Sequence, residues 1–347
     1  MSIFLSIIFL ICGLILLIKG SDIFVDAGTA IGKIFKMSEV LIGLTIVCVG
    51  TSLPELILSI TGAATDSSGL VIGNIFGTNI FNMCCILGFI CILNPLKLLR
   101  ETVRKDINMS LLSSVAIFVL LLDKTVNKTH INMLSRTDGI ILLLFFIVFV
   151  YYTFYEFAGY LRDKRERKYK ELQERKANGE KIEAKKKSEK IFTMEDMQNV
   201  AKQALIAIIG IILVHLGAQL TVKSATNIAK FFKVSESFIS IVIISVGTSL
   251  PELTTSIVAL KKKHIHIAIG NLIGSNMFNT LLVLGSASLV NPIILEGSYL
   301  LIDAAVFILV CLVMRIFVRK KPELSKLEGF ILFFIYIVYI MYVIYRR

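Results

Sequence analysis

The segment Val49-Gly50-Thr51-Ser52-Leu53-Pro54-Glu55-Leu56 returns 197 residues later as Val246-Gly247-Thr248-Ser249-Leu250-Pro251-Glu252-Leu253. A second block, Gly73-Asn74-Ile75-Phe76-Gly77-Thr78-Asn79-Ile80-Phe81-Asn82, returns at the same spacing as Gly270-Asn271-Leu272-Ile273-Gly274-Ser275-Asn276-Met277-Phe278-Asn279. Residues 13–95 overlie 210–292 without a gap, and 35 of those 83 positions are identical. A duplication on this scale limits the architecture before any single residue is weighed. The duplicated unit is also strongly apolar. Hydrophobic types make up 56% of the chain and charged types 18%, outside the balance of a water-soluble domain. An ordinary soluble enzyme is thereby excluded. Six cysteines in 347 residues exclude a disulfide scaffold as well.

About 20 consecutive apolar residues cross a bilayer as a helix. Such runs lie near 2–31, 39–63, 70–93, 107–122, 138–158, 199–229, 236–260, 265–290, 299–317 and 326–345. The predicted fold is an all-α polytopic membrane protein with ten transmembrane helices. The first run has no basic residues ahead of it, and Lys19-Gly20-Ser21-Asp22 offers no cleavage site, so it reads as a retained helix. Residues 159–195 hold 13 Lys/Arg and 8 Asp/Glu and read as a solvated, partly helical linker. The domain plan is a first repeat at 1–158, the linker at 159–195, and a second repeat at 196–347. Five spans per repeat is an odd number, so the second repeat enters the membrane upside down. Two inverted five-helix repeats, related by a pseudo-two-fold axis in the membrane plane, are an architecture of secondary transporters, with the site at the midplane.

Basic residues orient the chain. With 159–195 inside, cytoplasmic segments carry 27 Lys/Arg and external ones 7. Both termini are then extracytoplasmic, in a multi-pass protein of the plasma membrane. The net charge of +12 becomes a topology signal and requires no nucleic acid. Lys33 and Lys36 recur as Lys230 and Lys233 on the opposite side, which reflects common descent rather than orientation.

Glu55 and Glu252 stand mid-span without a basic neighbour. An ionised carboxylate there costs about 2.5–3.5 kcal/mol on insertion scales, and two of them meeting at a symmetry axis repel. A bound cation resolves that repulsion. Pro54 and Pro251 lack an amide hydrogen, which leaves the carbonyls of Gly50 and Gly247 without helical partners. Such breaks survive in membranes where they line a cavity. Exposed carbonyls, the hydroxyls of Thr51, Ser52, Thr248 and Ser249, and the amides of Asn82 and Asn279 supply oxygen. Oxygen ligands without His or Cys suit Ca²⁺ and Na⁺, not Zn²⁺ or Cu⁺. Gly73, Gly77, Gly270 and Gly274 allow close helix approach.

At these residues the chain resembles the Ca²⁺/cation antiporter superfamily, in its prokaryotic sodium/calcium exchanger branch. The two Gly-Thr-Ser-Leu-Pro-Glu segments and the two Gly-Asn-x-x-Gly-(Ser/Thr)-Asn-x-Phe-Asn segments match that family's paired motifs, here within 43–88 and 240–285. The resemblance implies a central four-helix core past which spans one and six slide. It also implies Ca²⁺ efflux driven by Na⁺ entry through alternating access, with no cofactor and no enzymatic activity. Carried over by position, Glu55 and Glu252 bind Ca²⁺ and share Na⁺ sites, and Thr51 and Thr248 give backbone carbonyls to Ca²⁺. Ser52, Ser249, Thr78, Ser275, Asn82 and Asn279 line Na⁺ sites, with the carbonyls of Cys48 and Ser245 as further Na⁺ ligands. Asn279 stands where potassium-dependent relatives carry Asp, which implies K⁺ independence. A linker of about 37 residues is too short for a Ca²⁺-sensing β-domain.

Competing uses of such a centre are H⁺/Ca²⁺ antiport, a Ca²⁺ channel and an intramembrane hydrolase. Inverted repeats with broken helices favour a carrier, and the key segment has no Gly-x-Ser-x-Gly. Elsewhere, Lys19, Asp22 and Asp26 read as interfacial ion pairs, His215 as a packed or hydrogen-bonded histidine, His264 and His266 as surface residues, and the cysteines as small core residues.

Overall fold

The computed structural model describes residues 3–99, 105–122, 131–177, 194–233, 245–295 and 298–346. Twelve helices and four two-residue strands are described. The first half contains α1 (Ile3–Ile34), α2 (Glu39–Thr51), α3 (Leu53–Ala64), α4 (Ser68–Leu93), β1 (Leu96–Lys97), α5 (Asp106–Leu120), β2 (Met133–Leu134) and α6 (Arg136–Ala177). The second contains α7 (Met194–Phe231), α8 (Ser245–Thr248), α9 (Leu250–Lys261), α10 (Ile265–Val290), β3 (Ile293–Ile294), α11 (Ser298–Phe317), β4 (Glu323–Leu324) and α12 (Lys326–Tyr345). Seven described helices are long and apolar enough to cross a membrane, and the bent pair α2–α3 makes an eighth. The predicted span 107–122 is the shorter apolar helix α5. The part of span 236–260 before Ser245 lies outside the described residues, as does the linker from 178 to 193. The linker's first part is helical, since α6 runs on past its apolar stretch to Ala177.

Apolar residues sort these helices into an inner and an outer set. The apolar window of α10 is 94% buried and that of α4 is 78% buried. For α1 and α6 the share is 22%, and for α12 it is 17%. The outer helices turn Ile11, Ile15, Leu144, Ile147, Phe330 and Phe334 outward. Apolar cover on that scale suits lipid, not water.

α1 and α7 are mates in the duplication, and they run antiparallel. A side chain at Gly13 would meet the Gly217 carbonyl and the Thr221 backbone, and one at Gly20 would meet the Gly210 carbonyl and Val214 N. Gly13 and Gly210 are equivalent in the repeat, as are Gly20 and Gly217. Four glycines therefore bring two helix backbones into direct contact.

The correspondence continues past residue 95. β1 pairs antiparallel with β4, through Leu96–Leu324 and Lys97–Glu323. β3, the mate of β1, pairs in the same way with β2, through Leu134–Ile293 and Met133–Ile294. After β2 and after β4 a serine caps the helix that follows. Ser135 and Asp138 cap α6 reciprocally, and Ser325 and Glu328 form the capping box of α12. Phe81 meets Tyr336 edge-on at 5.3 Å between ring centroids, and its mate Phe278 meets Phe146 at 6.0 Å. The strand pairs and the ring contacts each join one half to the other, and the core runs through both halves without a boundary.

Two groups of polar contacts mark opposite ends of the bundle. At one end, Lys262 Nζ meets Asp22 Oδ1 at 2.7 Å and Asp26 Oδ1 at 2.6 Å, and His264 Nδ1 meets Glu39 Oε1 at 2.8 Å. At the other, Asn291 donates to Asp66 and to the Ala63 carbonyl, and Arg346 forks onto Asp303. The expected ion pairing of Asp22 and Asp26 is thus present. His264 and His266 depart from the surface placement expected of them. Both are partly buried, because α10 begins at Ile265 and draws them into the packed end of the bundle. His215 is partly buried, and neither ring nitrogen has a partner among the described residues.

Candidate cation site

The helix break falls at the same residue in both copies. Ser52 has φ −94° and ψ 5°, and Ser249 has φ −94° and ψ 6°. α2 and α3 meet there at a 46° bend. Pro54 and Pro251 stand in the first turn of the following helix, where a missing N–H is tolerated. Glu55 and Glu252 occupy the same first turns, at the positive end of the helix dipole. Opposite them, α4 and α10 each carry one π-helical stretch, at Phe81–Ile86 and Phe278–Val283. Extra-wide turns of this kind recur at functional sites. They hold Asn82 and Asn279 at matching positions in the middle of the spans.

Each half's Pro-Glu segment reaches the Asn-rich helix of the other half. Thr51 Oγ1 donates to Asn271 Oδ1 at 3.1 Å, and its mate Thr248 Oγ1 donates to Asn74 Oδ1 at 3.3 Å. Asn82 Nδ2 donates to Asn276 Oδ1 at 3.1 Å, and its mate Asn279 Nδ2 donates to Asn79 Oδ1 at 3.4 Å. Ser52 Oγ donates to Glu252 Oε1 at 3.3 Å. Here the exchange stops, because Ser249 Oγ donates to Thr78 Oγ1 at 3.4 Å instead of to Glu55.

Glu55 and Glu252 are 1% and 0% exposed. Both Glu55 oxygens, Glu252 Oε2, Asn82 Oδ1 and Asn279 Oδ1 are buried without a hydrogen-bond partner among the described residues. Buried polar atoms of native proteins are almost always satisfied, and an exception calls for an explanation. Five such oxygens on two helix breaks and two π-helical turns form a set of hard acceptors. Among the described residues, no lysine or arginine is hydrogen-bonded to them. Among the described residues no three His, Cys, Asp or Glu cluster as a soft-metal site would need. The residues present fit a small hard cation.

Of the predicted site residues, Thr51, Ser52, Glu55, Thr78, Asn82, Ser249, Glu252, Ser275 and Asn279 are all buried in this region. Thr248 is half-buried. Ser245 opens α8, and its side chain lies outside the described residues. The Cys48 carbonyl already accepts from Ser52 N at 2.9 Å and lies 3.3 Å from Thr51 Oγ1, so ion contact there competes with both. Gly270 and Gly274 do admit a neighbour closely, against Val40 O and Cys48 of α2. At their mates Gly73 and Gly77 no such neighbour lies within 4 Å among the described residues. Sequence reasoning assigned no role to Asn74, Asn79, Asn271, Asn276 or Thr280, which hold the predicted residues in place. The four asparagines stand inside the repeated motifs, so their signal was the duplication itself. Thr280 replaces Met83 in the repeat and carried no signal at all.

Fold and site together define a polytopic membrane protein of the ion-transporter class. The chain belongs to the sodium/calcium exchanger protein family, which matches residues 5–155 and 202–345. It is 30% identical over 328 residues to the sodium/calcium exchanger MaX1 of Methanosarcina acetivorans, covering 93% of this chain and 94% of that protein. It is 28% identical over 330 residues to the inner membrane protein YrbG of Escherichia coli, covering 93% and 92%. A solved structure of the sodium-calcium exchanger NCX_Mj matches it with a TM-score of 0.76 at 27% identity, covering 99% of this chain and 100% of that one.

Proposed function

We propose that this chain is a secondary antiporter that exchanges Na⁺ for Ca²⁺ by alternating access. What supports the reading above all is the pair of buried carboxylates, Glu55 and Glu252, with three of their four oxygens unpartnered beside the Asn82 and Asn279 oxygens. A divalent cation between them offsets both charges, and Na⁺ ions spread over the surrounding oxygens do the same in the opposite step. In this reading Glu55, Glu252 and the carbonyls of Thr51 and Thr248 hold Ca²⁺. Ser52, Ser249, Thr78, Ser275, Asn82 and Asn279, with the Cys48 and Ser245 carbonyls, serve Na⁺. Asn279, neutral where potassium-dependent relatives are acidic, fits a K⁺-independent exchanger.

The architecture in this proposal is ten spans in two inverted repeats, 1–158 and 196–347, joined by the cytoplasmic linker 159–195. The antiparallel run of the mated helices α1 and α7 supports the inversion. The sorting of polar contacts to two ends supports spans that alternate in direction, and the Lys/Arg excess supports placing both termini extracytoplasmic. The bare-backbone seam between α1 and α7 supports their moving as one body past the core.

The test is Ca²⁺ uptake into proteoliposomes under an imposed Na⁺, H⁺ or K⁺ gradient. Uptake that follows the Na⁺ gradient alone is expected. Uptake that follows only a proton gradient would instead establish H⁺/Ca²⁺ antiport, and flux indifferent to every gradient would indicate a channel. Glu55→Gln and Glu252→Gln should each abolish exchange while the protein remains monodisperse in detergent.

A further inference from the structure

An asparagine that serves a cation has a problem that an aspartate lacks. One end of its amide is an acceptor and the other repels positive charge, so the side chain must be turned the right way. Asn82 is buried with its Nδ2 committed to Asn276 Oδ1 at 3.1 Å and its Oδ1 left without a partner among the described residues. The direction of that bond is set one step further back. Asn276 Nδ2 donates to the backbone carbonyl of Asn79 at 3.2 Å. A backbone carbonyl can only accept. It therefore fixes the Asn276 amide with Nδ2 toward Asn79, which leaves Oδ1 toward Asn82, and this in turn leaves Asn82 Oδ1 for another partner.

The Asn279 amide is held by Asn79 Oδ1 in the same manner. There the far end of the relay is the Thr280 hydroxyl, which takes Asn79 Nδ2 at 2.9 Å. A hydroxyl both donates and accepts, so it does not impose one direction. Only the Asn276 branch ends on a group that cannot reverse.

We propose that Asn276 is a positioning residue that turns the Asn82 amide so that its oxygen, not its NH₂ group, faces the transported cation. The proposal rests on the reading of this centre as the ion site. Asn276 itself touches no ion. It acts through Asn82, and its effect should vanish once residue 82 no longer needs turning.

The experiment measures Na⁺-dependent Ca²⁺ uptake by the full chain in proteoliposomes across Na⁺ and Ca²⁺ concentrations. It compares Asn276→Leu with the unmodified protein, and Asn276→Leu/Asn82→Asp with Asn82→Asp alone. An aspartate at position 82 accepts through both oxygens and needs no orientation. Asn276→Leu is expected to raise the half-maximal Na⁺ or Ca²⁺ concentration about tenfold, the effect of one buried hydrogen bond misdirected. In the Asn82→Asp background the same change should cost less than about twofold, since a carboxylate needs no turning and Asn276 Oδ1, itself an acceptor, makes no hydrogen bond to it that the change could remove. Equal losses in both backgrounds, or none in either, overturn the proposal. Asn276→Ala, which removes the amide without adding apolar bulk, serves in the same comparison if the leucine variant does not fold. If the unmodified protein proves indifferent to Na⁺, the exchanger reading fails by itself, and the Ca²⁺ dependence of the four proteins still decides the role of Asn276.

Discussion

Ser52 and Ser249 share a sequence context and a backbone conformation, yet they serve different partners. Ser52 donates to Glu252 of the other half, whereas Ser249 donates to Thr78. Ser52→Ala therefore leaves a second Glu252 oxygen bare, at a cost of about 1–3 kcal/mol for a buried acceptor. We expect Ser52→Ala to lower the melting temperature of the purified protein in ion-free buffer, and saturating Ca²⁺ to restore most of the loss. Ser249→Ala should show a smaller loss and a smaller Ca²⁺-dependent recovery. Equal responses from the two variants would show that the asymmetry has no energetic weight. The buried acids, the prolines and the asparagines at 82 and 279 were legible in the sequence because chemistry makes a mid-span carboxylate conspicuous and duplication makes it emphatic. The asymmetry at Ser52 was not legible, since identical residues cannot signal different partners. The departures of His264 and His266 have a similar origin. A basic triplet beside them suggested solvent, and the helix that starts at Ile265 overrode it.

At the scale of elements, the seam between α1 and α7 is the feature most sensitive to a single methyl group. A Cβ at Gly20 would lie 2.7 Å from Val214 N and 2.9 Å from the Gly210 carbonyl, both backbone atoms that move only with their helix. At Gly28, on the same helix, the nearest atom would be a flexible one, Ile46 Cγ2 at 3.5 Å. Gly20→Ala should therefore cost about 1–3 kcal/mol, as overpacking does, while Gly28→Ala should be near neutral. Thermal unfolding of both variants in the same detergent checks this. Seven spans, and an eighth as the bent pair α2–α3, were readable to within a few residues, because a continuous apolar run has few other uses. The apolar part of the fifth ends at Tyr155, close to the expected 158, while its helix runs on to Ala177 through the stretch expected to be partly helical. Charge ends a membrane span but not the hydrogen-bonding of its backbone. The repeat was legible through residue 95. Beyond it, the strand pairs and serine caps carry on the correspondence after a change of spacing that an ungapped comparison cannot cross.

At the scale of the whole molecule, one end of α1 is tied to the loop between α9 and α10 by Lys262. Three acceptors meet its ammonium group, the Asp22 and Asp26 carboxylates and the Asp22 carbonyl. Partial burial pulls its pKa down, but the hydrogen bonds and charges of the two aspartates outweigh this and raise it above the ordinary 10.5. A cation whose folded-state pKa is raised stabilises the fold fully below its unfolded value and loses that contribution as the pH climbs through the higher folded value. The stability lost in Lys262→Met should therefore be constant across neutral pH and shrink only above about 10.5. Melting curves of the two proteins from neutral to strongly alkaline buffer test the sign, and a difference that shrinks on acidification would contradict it. The strand pairs at the two ends of the bundle bear on biogenesis. β1 at Leu96–Lys97 is made early, yet its partner β4 lies at Glu323–Leu324. α4, the inner helix of the first half, is closed on one side by α12 through Gly88 and Gly329. During synthesis the first half must therefore wait in the bilayer with its strand unpaired and its inner helix uncovered. The insertion machinery has to shelter that unfinished surface until the final span arrives to seal it.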